Sequence, residues 1–456
     1  LQVGAGTKVG GTNQNTIVGG AELVQPNPRR IGSAFPAWLA HCTCLEKHPL
    51  QKKKFEKRPY LSISIILFSS LLLFPLLTSS SHSAEPIIPD DQTRDRLVAY
   101  LRDISDWAVT IELGSGELKI PTKWRTSIFV NSNLARMLIA AYEITGESRY
   151  LHEALGWFDR LVALQQKTVT ISGDTSGYWG DHNPNKNIYL GDAGTTATAL
   201  AGAVRFAEGE RRSQYLKALH LYANFVRLGT RADPQNKGRG GSEGWIIKQG
   251  ANAGAIGCGY YRDELSLAPY TISTSVTGAS FFSCYYILTG ERLYLKIAED
   301  AGRWLMSIRE RSGEIPYILH NSRLDQWPLD TMSYVADGMI GLYQRTDDEN
   351  LRKEMKTSLA RSVQWLLNLQ NPSGTWGKLR SDDQQRSQGV LNLLVWYYSE
   401  ISPNPQILNS IRKNYSYFLQ PENSTKFGIK ELPITTGFVG LGIAEVLTPG
   451  ITYRLE

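Results

Sequence analysis

The chain has 456 residues, 42% of them hydrophobic and 20% charged, enough apolar content for a large packed core. Its formal charge of +6 sits wholly in residues 1–84, where nine Lys or Arg face three acids, so the 40 basic and 40 acidic residues that follow cancel. A neutral body lacks the basic footprint of nucleic-acid binding, and no nucleic-acid partner is expected.

Residues 1–51 are rich in Gly, Asn and Pro, precede the first methionine, Met137, and read as a non-native or disordered extension. A cationic stretch at 52–58, an apolar run at 61–77 and small polar residues at 78–84 follow the order of a secretory signal. Cleavage is expected near 81–84, which directs the chain to the secretory-pathway lumen or outside the cell. An uncleaved signal anchor is the competing reading, and the chain would engage a membrane only if 61–77 stays uncleaved. Residues 85–456 remain as one domain. They hold two cysteines, Cys258 and Cys284, enough for a single disulfide on which the fold would not depend. Asn414-Tyr415-Ser416 and Asn423-Ser424-Thr425 are glycosylation sequons if the chain is exported.

From residue 92 onward two kinds of helix alternate. The first is charged and amphipathic, as in Tyr150–Leu161, with apolar residues at three- and four-residue intervals. The second is almost uncharged and rich in small residues, as in Ala193–Val204, and must be buried all round. The pairs run 92–112 with 126–144, 149–166 with 192–207, 212–229 with 271–288, 292–310 with 330–345, 349–370 with 386–401, and 405–419 with 435–447. Thr145-Gly146-Glu147 and Thr289-Gly290-Glu291 close second-type helices with a capping glycine. A connector phrase also recurs: a tryptophan, then Ser-Gly-x-hydrophobic with its glycine nine residues on. Its copies are Trp107 with Ser115-Gly116, Trp304 with Ser312-Gly313 and Trp365 with Ser373-Gly374; Trp157 with Ser176-Gly177 reads as a fourth, with a wider gap.

Hairpins of this kind bury every uncharged helix by closing into a ring, so the expected fold is all-α, an (α/α)6 toroid. The helix pairing and connector phrases over 92–447 resemble the six-hairpin glycosidase-like superfamily. That resemblance implies a carbohydrate-active enzyme, either a glycoside hydrolase or a related polysaccharide lyase or epimerase.

In such a ring the inner helices run the same way, and their N-termini gather on one face with a partial positive charge. The polar and aromatic residues before those starts are the site candidates. Asp192, Asp330, Asp181 and Glu243 are the candidate acid and base carboxylates. Trp124, Trp179, Trp245, Trp327, Trp376 and Tyr260 are candidate sugar-stacking surfaces. Arg125, His182, Arg262 and Lys430 are candidate substrate contacts, of which Arg125, Arg262 and Lys430 suit the carboxylates of a uronic acid. Asp192 and Asp330 are read equally as helix N-caps. The outer-helix residues Trp157, Trp304 and Trp365 read as packing.

The phrase Trp327-Pro328-Leu329-Asp330-Thr331-Met332 resembles the aspartate-bearing start of an inner helix in unsaturated glucuronyl hydrolases. Gln370-Asn371-Pro372-Ser373-Gly374-Thr375-Trp376 resembles the repeated phrase of terpene cyclases, whose aspartate-rich motifs are missing here. A saccharide-binding ring without turnover stays open as a third reading. No His-Glu-x-x-His or Cys/His zinc spacing occurs, and the glycine-dense 250–259 follows no predicted strand, so neither metal nor cofactor is expected. The expected molecule is a monomer acting on a saccharide.

Overall fold

The structure, a computed structural model, describes residues 84–114, 128–180, 188–233, 240–261, 264–325, 327–378 and 386–455. The extension 1–51, nearly all of the 52–84 leader, and Trp124, Arg125, Asp181, His182 and Arg262 lie outside them.

Among the described residues the helices pair as the hydrophobic pattern predicts. The outer helices are α1 (Asp91–Val109), α3 (Ser148–Leu164), α5 (Gly209–Leu228), α7 (Arg292–Ser307), α9 (Glu349–Leu369) and α11 (Pro405–Phe418). The inner helices are α2 (Ile128–Thr145), α4 (Leu190–Ala203), α6 (271–289), α8 (Pro328–Arg345), α10 (Val390–Glu400) and α13 (Pro433–Leu447), with a short α12 (Pro421–Phe427) between the last pair. Each inner helix packs on the next, and α13 packs on α2 and closes the ring. Thr145 and Thr289 end their helices identically. Each hydroxyl donates to the carbonyl four residues back, at 2.7 and 2.9 Å, and Gly146 and Gly290 adopt φ of 75° and 73°.

Small residues let the inner helices approach. A Cβ on Gly194 of α4 would lie 2.1 Å from the Thr277 hydroxyl of α6, and one on Gly338 of α8 would lie 2.3 Å from that of Ser275. Helix α6 is π-helical over Thr274–Phe281, between those two contacts.

The recurring connector is a turn with its glycine at positive φ, pressed on the next outer helix. Gly313 (φ 106°) meets Arg361 and Gly374 (φ 96°) meets Lys413. In the second hairpin the equivalent turn is Ser172-Gly173-Asp174, with Gly173 at φ 97° and its N–H donating to the Thr170 carbonyl at 3.1 Å. The expected copy at Ser176-Gly177 is therefore corrected, since Gly177 belongs to a strand.

Short β-hairpins fill the outer-to-inner connectors: β1 (Gln166–Val169) with β2 (Thr175–Tyr178), β4 (Thr230–Ala232) with β5 (Gly240–Ser242), and β8 (Tyr317–Leu319) with β9 (Ser322–Leu324). A three-stranded sheet orders β3 (Ile188–Tyr189), β6 (Gly257–Tyr261) and β7 (Glu264–Pro269). The glycine-dense 250–259 follows strand β5 after all, but it leads into β6 and opens no helix. Cys258 and Cys284 are both free and buried, in separate clusters. Among the described residues no helix is long and apolar enough to cross a membrane.

Candidate active site

The N-terminal ends of the inner helices meet in an aromatic layer distinct from the main core. Phe129 and Val130 come from α2, Ile272 and Val276 from α6, Tyr334 from α8, and Ile434 and Phe438 from α13. Tyr270, Tyr317 and Cys258 join them from the connectors. The rings pack edge to face: Tyr270 on Tyr317 at 5.6 Å, Tyr317 on Trp327 at 5.7 Å, and Tyr334 on Phe438 at 5.7 Å. Among the described residues, small cavities of about 10 and 30 Å³ lie between the inner helices.

Two aspartates border the layer. Tyr189 is the N-cap of α4 and Trp327 that of α8, so Asp192 and Asp330 each occupy the third helical position, and the cap reading is corrected for both. Their environments differ. Asp192 is half-buried. Asp330 is 1% exposed, and its carboxylate pairs with the Arg386 guanidinium at 3.0 Å. Arg386 lies just ahead of α10, over the Phe129 ring at 5.8 Å, and its carbonyl accepts from the Ser333 hydroxyl at 2.7 Å. Burial works against the Arg386 charge, but Asp330, with Tyr334 and Asp192, holds its pKa above the ordinary value.

The phenols stay protonated. Burial pushes Tyr317 up to about 12 and Tyr270 well above its usual value, and their hydroxyls lie 3.3 Å apart. Burial likewise raises Tyr334 and the Cys258 thiol, and the charge of Asp192 adds to both shifts.

Trp327 is the one tryptophan candidate that joins this layer among the described residues. It is half-buried at φ 55°, ψ 44°, a left-handed conformation that is costly for a bulky residue and marks a strained position. Trp179, Trp245 and Trp376 are instead buried in the main core, each at most 1% exposed, and cannot stack on a ligand. Tyr260 is fully buried against Trp245. Lys430 turns to the outer helix α1, where its ammonium binds both Asp103 oxygens at 2.9 Å. Glu243 is exposed after β5 and is not part of the layer. Trp157 and Trp304 are packing residues, as expected.

The sequon at Asn414 is overturned by burial: its amide nitrogen donates to Gly374 and Gln388, and 1% of the residue is exposed. Asn423 is half-buried and donates to the Tyr417 carbonyl at 3.2 Å. Among the described residues no cluster of His, Cys, Asp and Glu could hold a metal ion.

No protein-family model matches the chain, and no curated protein is significantly similar to it. Solved structures are similar in shape. An inactive variant of the α-1,6-mannanase GH76A of Salegentibacter sp. HEL1_6, two neighbouring aspartates replaced, in complex with α-1,6-mannotetrose, matches with a TM-score of 0.54 at 12% identity, over 79% of this chain and 99% of that one. Dfg5 from Chaetomium thermophilum in complex with glucosamine gives 0.52 at 12% identity, over 79% and 91%. Cellobiose 2-epimerase from Bacillus thermoamylovorans B4167 gives 0.51 at 9% identity, over 72% and 87%. The fold shared with these structures is the (α/α)6 toroid. In this toroid the aromatic layer occupies the end where the inner helices begin.

Sequence reasoning missed Tyr270, Tyr317 and Tyr334 as part of the layer. Tyr270 directly precedes the α6 start and Tyr334 lies one turn beyond Asp330, so position relative to helix starts would have found both.

Proposed function

We propose that the chain is a carbohydrate-active enzyme that acts on a polysaccharide or oligosaccharide at the N-terminal mouth of the ring. The carrying observation is the joining of Asp192, the Asp330–Arg386 pair and strained Trp327 around protonated tyrosines. Trp327 offers an indole face for a sugar ring. Asp192, half-buried at a helix start, is the proton-accepting carboxylate, and the Tyr270–Tyr317 hydroxyl pair is the donor side. Asp330 is buried under Arg386 and acts through it rather than on the substrate.

The Arg386 guanidinium is already engaged by Asp330 and so is not offered to a substrate carboxylate, which suits a neutral glycan. A uronic-acid substrate would depend on Arg125 and Arg262, outside the described residues. The second reading, binding without turnover, is favoured by one observation: burial withdraws Asp330 from an acid–base pair.

Reducing-end release from α-1,6-mannan and from polygalacturonate, as neutral and acidic probes, tests these readings. Turnover of the neutral glycan should fall at least about a hundredfold in Asp192→Asn, the usual scale of lost acid–base catalysis. Full activity in that variant would place the chemistry elsewhere. Glycan binding that depends on Trp327, with no turnover of any glycan, would establish the binding reading.

A further inference from the structure

We propose that a groove between the outer helices α7 and α9 binds a small ligand carrying a phosphate or sulfate group, with Arg309 as its anchor. The site is separate from the mouth and stands or falls independently of it.

The groove has a volume of about 560 Å³ and lies between the C-terminal end of α7 and the first half of α9. That volume is in the range of small-molecule sites. Arg309 follows α7 directly and lines one side; Lys353, Thr357 and Ser358 of α9 line the other. Arg303 also borders the groove, but its guanidinium is paired with Asp348 at 2.6 Å.

Arg309 differs from the guanidiniums buried inside the ring. Arg136, Arg205 and Arg386 each face a carboxylate, those of Asp337, Glu143 and Asp330. Half-buried Arg309 has no carboxylate partner among the described residues. Its Nε donates to the Ser358 hydroxyl at 2.9 Å and its Nη1 to the Glu310 carbonyl at 3.1 Å. The Glu310 side chain goes to Arg323 instead. Two bonds therefore hold the guanidinium in place and leave Nη2 for an incoming oxyanion. Ser358 is 4% exposed and accepts from Arg309, so its own O–H is left to donate.

A second guanidinium lies close by. Arg361 is one turn beyond Ser358 on α9, and the Gly313 turn that follows Arg309 rests on its carbonyl. Burial, and then the like charge of Arg361, hold the Arg309 pKa below the ordinary arginine value, as expected of a cation that nothing neutralises. Among the described residues Arg309, Lys353 and Arg361 form no ion pair, and Glu354 is the one acid that lines the groove. Three cations against one carboxylate match a dianion, the charge of a phosphate ester near neutral pH. Donors that converge from the end of α7 and from successive turns of α9 suit a tetrahedral group better than a planar carboxylate.

Isothermal titration calorimetry of the full chain with inorganic phosphate, glucose 6-phosphate, glucuronate and glucose is the test. Both phosphates should saturate one site, glucuronate should bind more weakly, and glucose should give no signal. A preference for glucose 6-phosphate would identify a sugar-borne group as the ligand, and equal affinities a free anion. Arg309→Gln should weaken phosphate binding at least about tenfold, the scale of one lost hydrogen bond to a charged group. Glu354→Gln should strengthen it. Arg309→Gln strands no carboxylate, and Lys353→Gln, at an exposed position, gives a second and smaller loss that does not depend on a buried side chain. Arg211→Gln, which breaks an exposed ion pair with Asp159 on other helices, should change nothing. The proposal is overturned by absence of saturable phosphate binding, by unchanged affinity in Arg309→Gln, by an equal loss in Arg211→Gln, or by glucuronate binding as tightly as the phosphates.

Discussion

The Trp376 indole N–H donates to the Leu366 carbonyl at 2.9 Å, three residues before the end of α9, and Trp179 does the same for Leu161 in α3. These carbonyls belong to the last helical turn, where intrahelical donors run out, so each indole caps an outer helix. Trp376→Phe should cost about 1–3 kcal/mol for the carbonyl left buried without a donor, and glycan binding should stay unchanged. Trp327 behaves oppositely. Its left-handed backbone costs about 1–2 kcal/mol, so Trp327→Asn should hold or raise the melting temperature while glycan affinity falls. Thermal melts alongside glycan titration check both variants; a Trp327→Asn protein that binds normally would remove Trp327 from the site. Spacing brought all these tryptophans to the connectors. Which way each indole turns depends on backbone dihedrals and on which helix end lacks a donor.

At the scale of elements, pattern located helices well because burial is periodic. The expected inner starts at 126, 192, 271, 330 and 435 lie within two residues of the observed ones. The connector phrase was harder. Ser-Gly recurs by composition, whereas the turn is defined by a glycine at positive φ, which selects Gly173 over Gly177. The π-helical stretch of α6 carried no sequence signal at all; it is wedged between α4 and α8. Gly194→Ala should therefore destabilise by about 1–3 kcal/mol, because the new methyl meets the Thr277 backbone nitrogen at 2.6 Å as well as its hydroxyl. Urea unfolding measures this, and an unchanged midpoint would mean α6 can shift freely.

For the whole ring, charge is sparse on the axis but not excluded from it. Arg136 of α2 and Asp337 of α8, on opposite hairpins, form a two-pronged ion pair at 2.9 and 3.1 Å. Asp337→Ala should cost about 3–5 kcal/mol by stranding the buried guanidinium, while Arg136→Met/Asp337→Leu should recover much of that in denaturant unfolding. Glu445 of α13 is buried nearby and accepts the N–H groups of Gly450 and Thr452, which fasten the C-terminal tail. Burial pushes its carboxyl above the ordinary value of 4.5, with those hydrogen bonds opposing. The raised value favours the fold while Glu445 is protonated, fully below about 4.5, and that contribution is lost as pH rises through the folded value. Relative to the wild type, Glu445→Gln should gain melting temperature as the pH is raised above about 4.5. A constant difference across that range would show that Glu445 does not titrate with unfolding.

The sequence by itself determined the ring. Alternating amphipathic and uncharged helices leave few ways to bury every apolar face, and that constraint is local enough to read along one chain. It also placed Asp192, Asp330 and Trp327 at helix starts that converge. Only the tertiary structure decided that Asp330 is committed to Arg386, that Trp179, Trp245 and Trp376 are core, that Lys430 turns outward and that Asn414 is buried. The physical reason is distance in sequence. A helix start is set by its neighbours in the chain, whereas the charge partner and exposure of a side chain are set by residues 50 or 300 positions away.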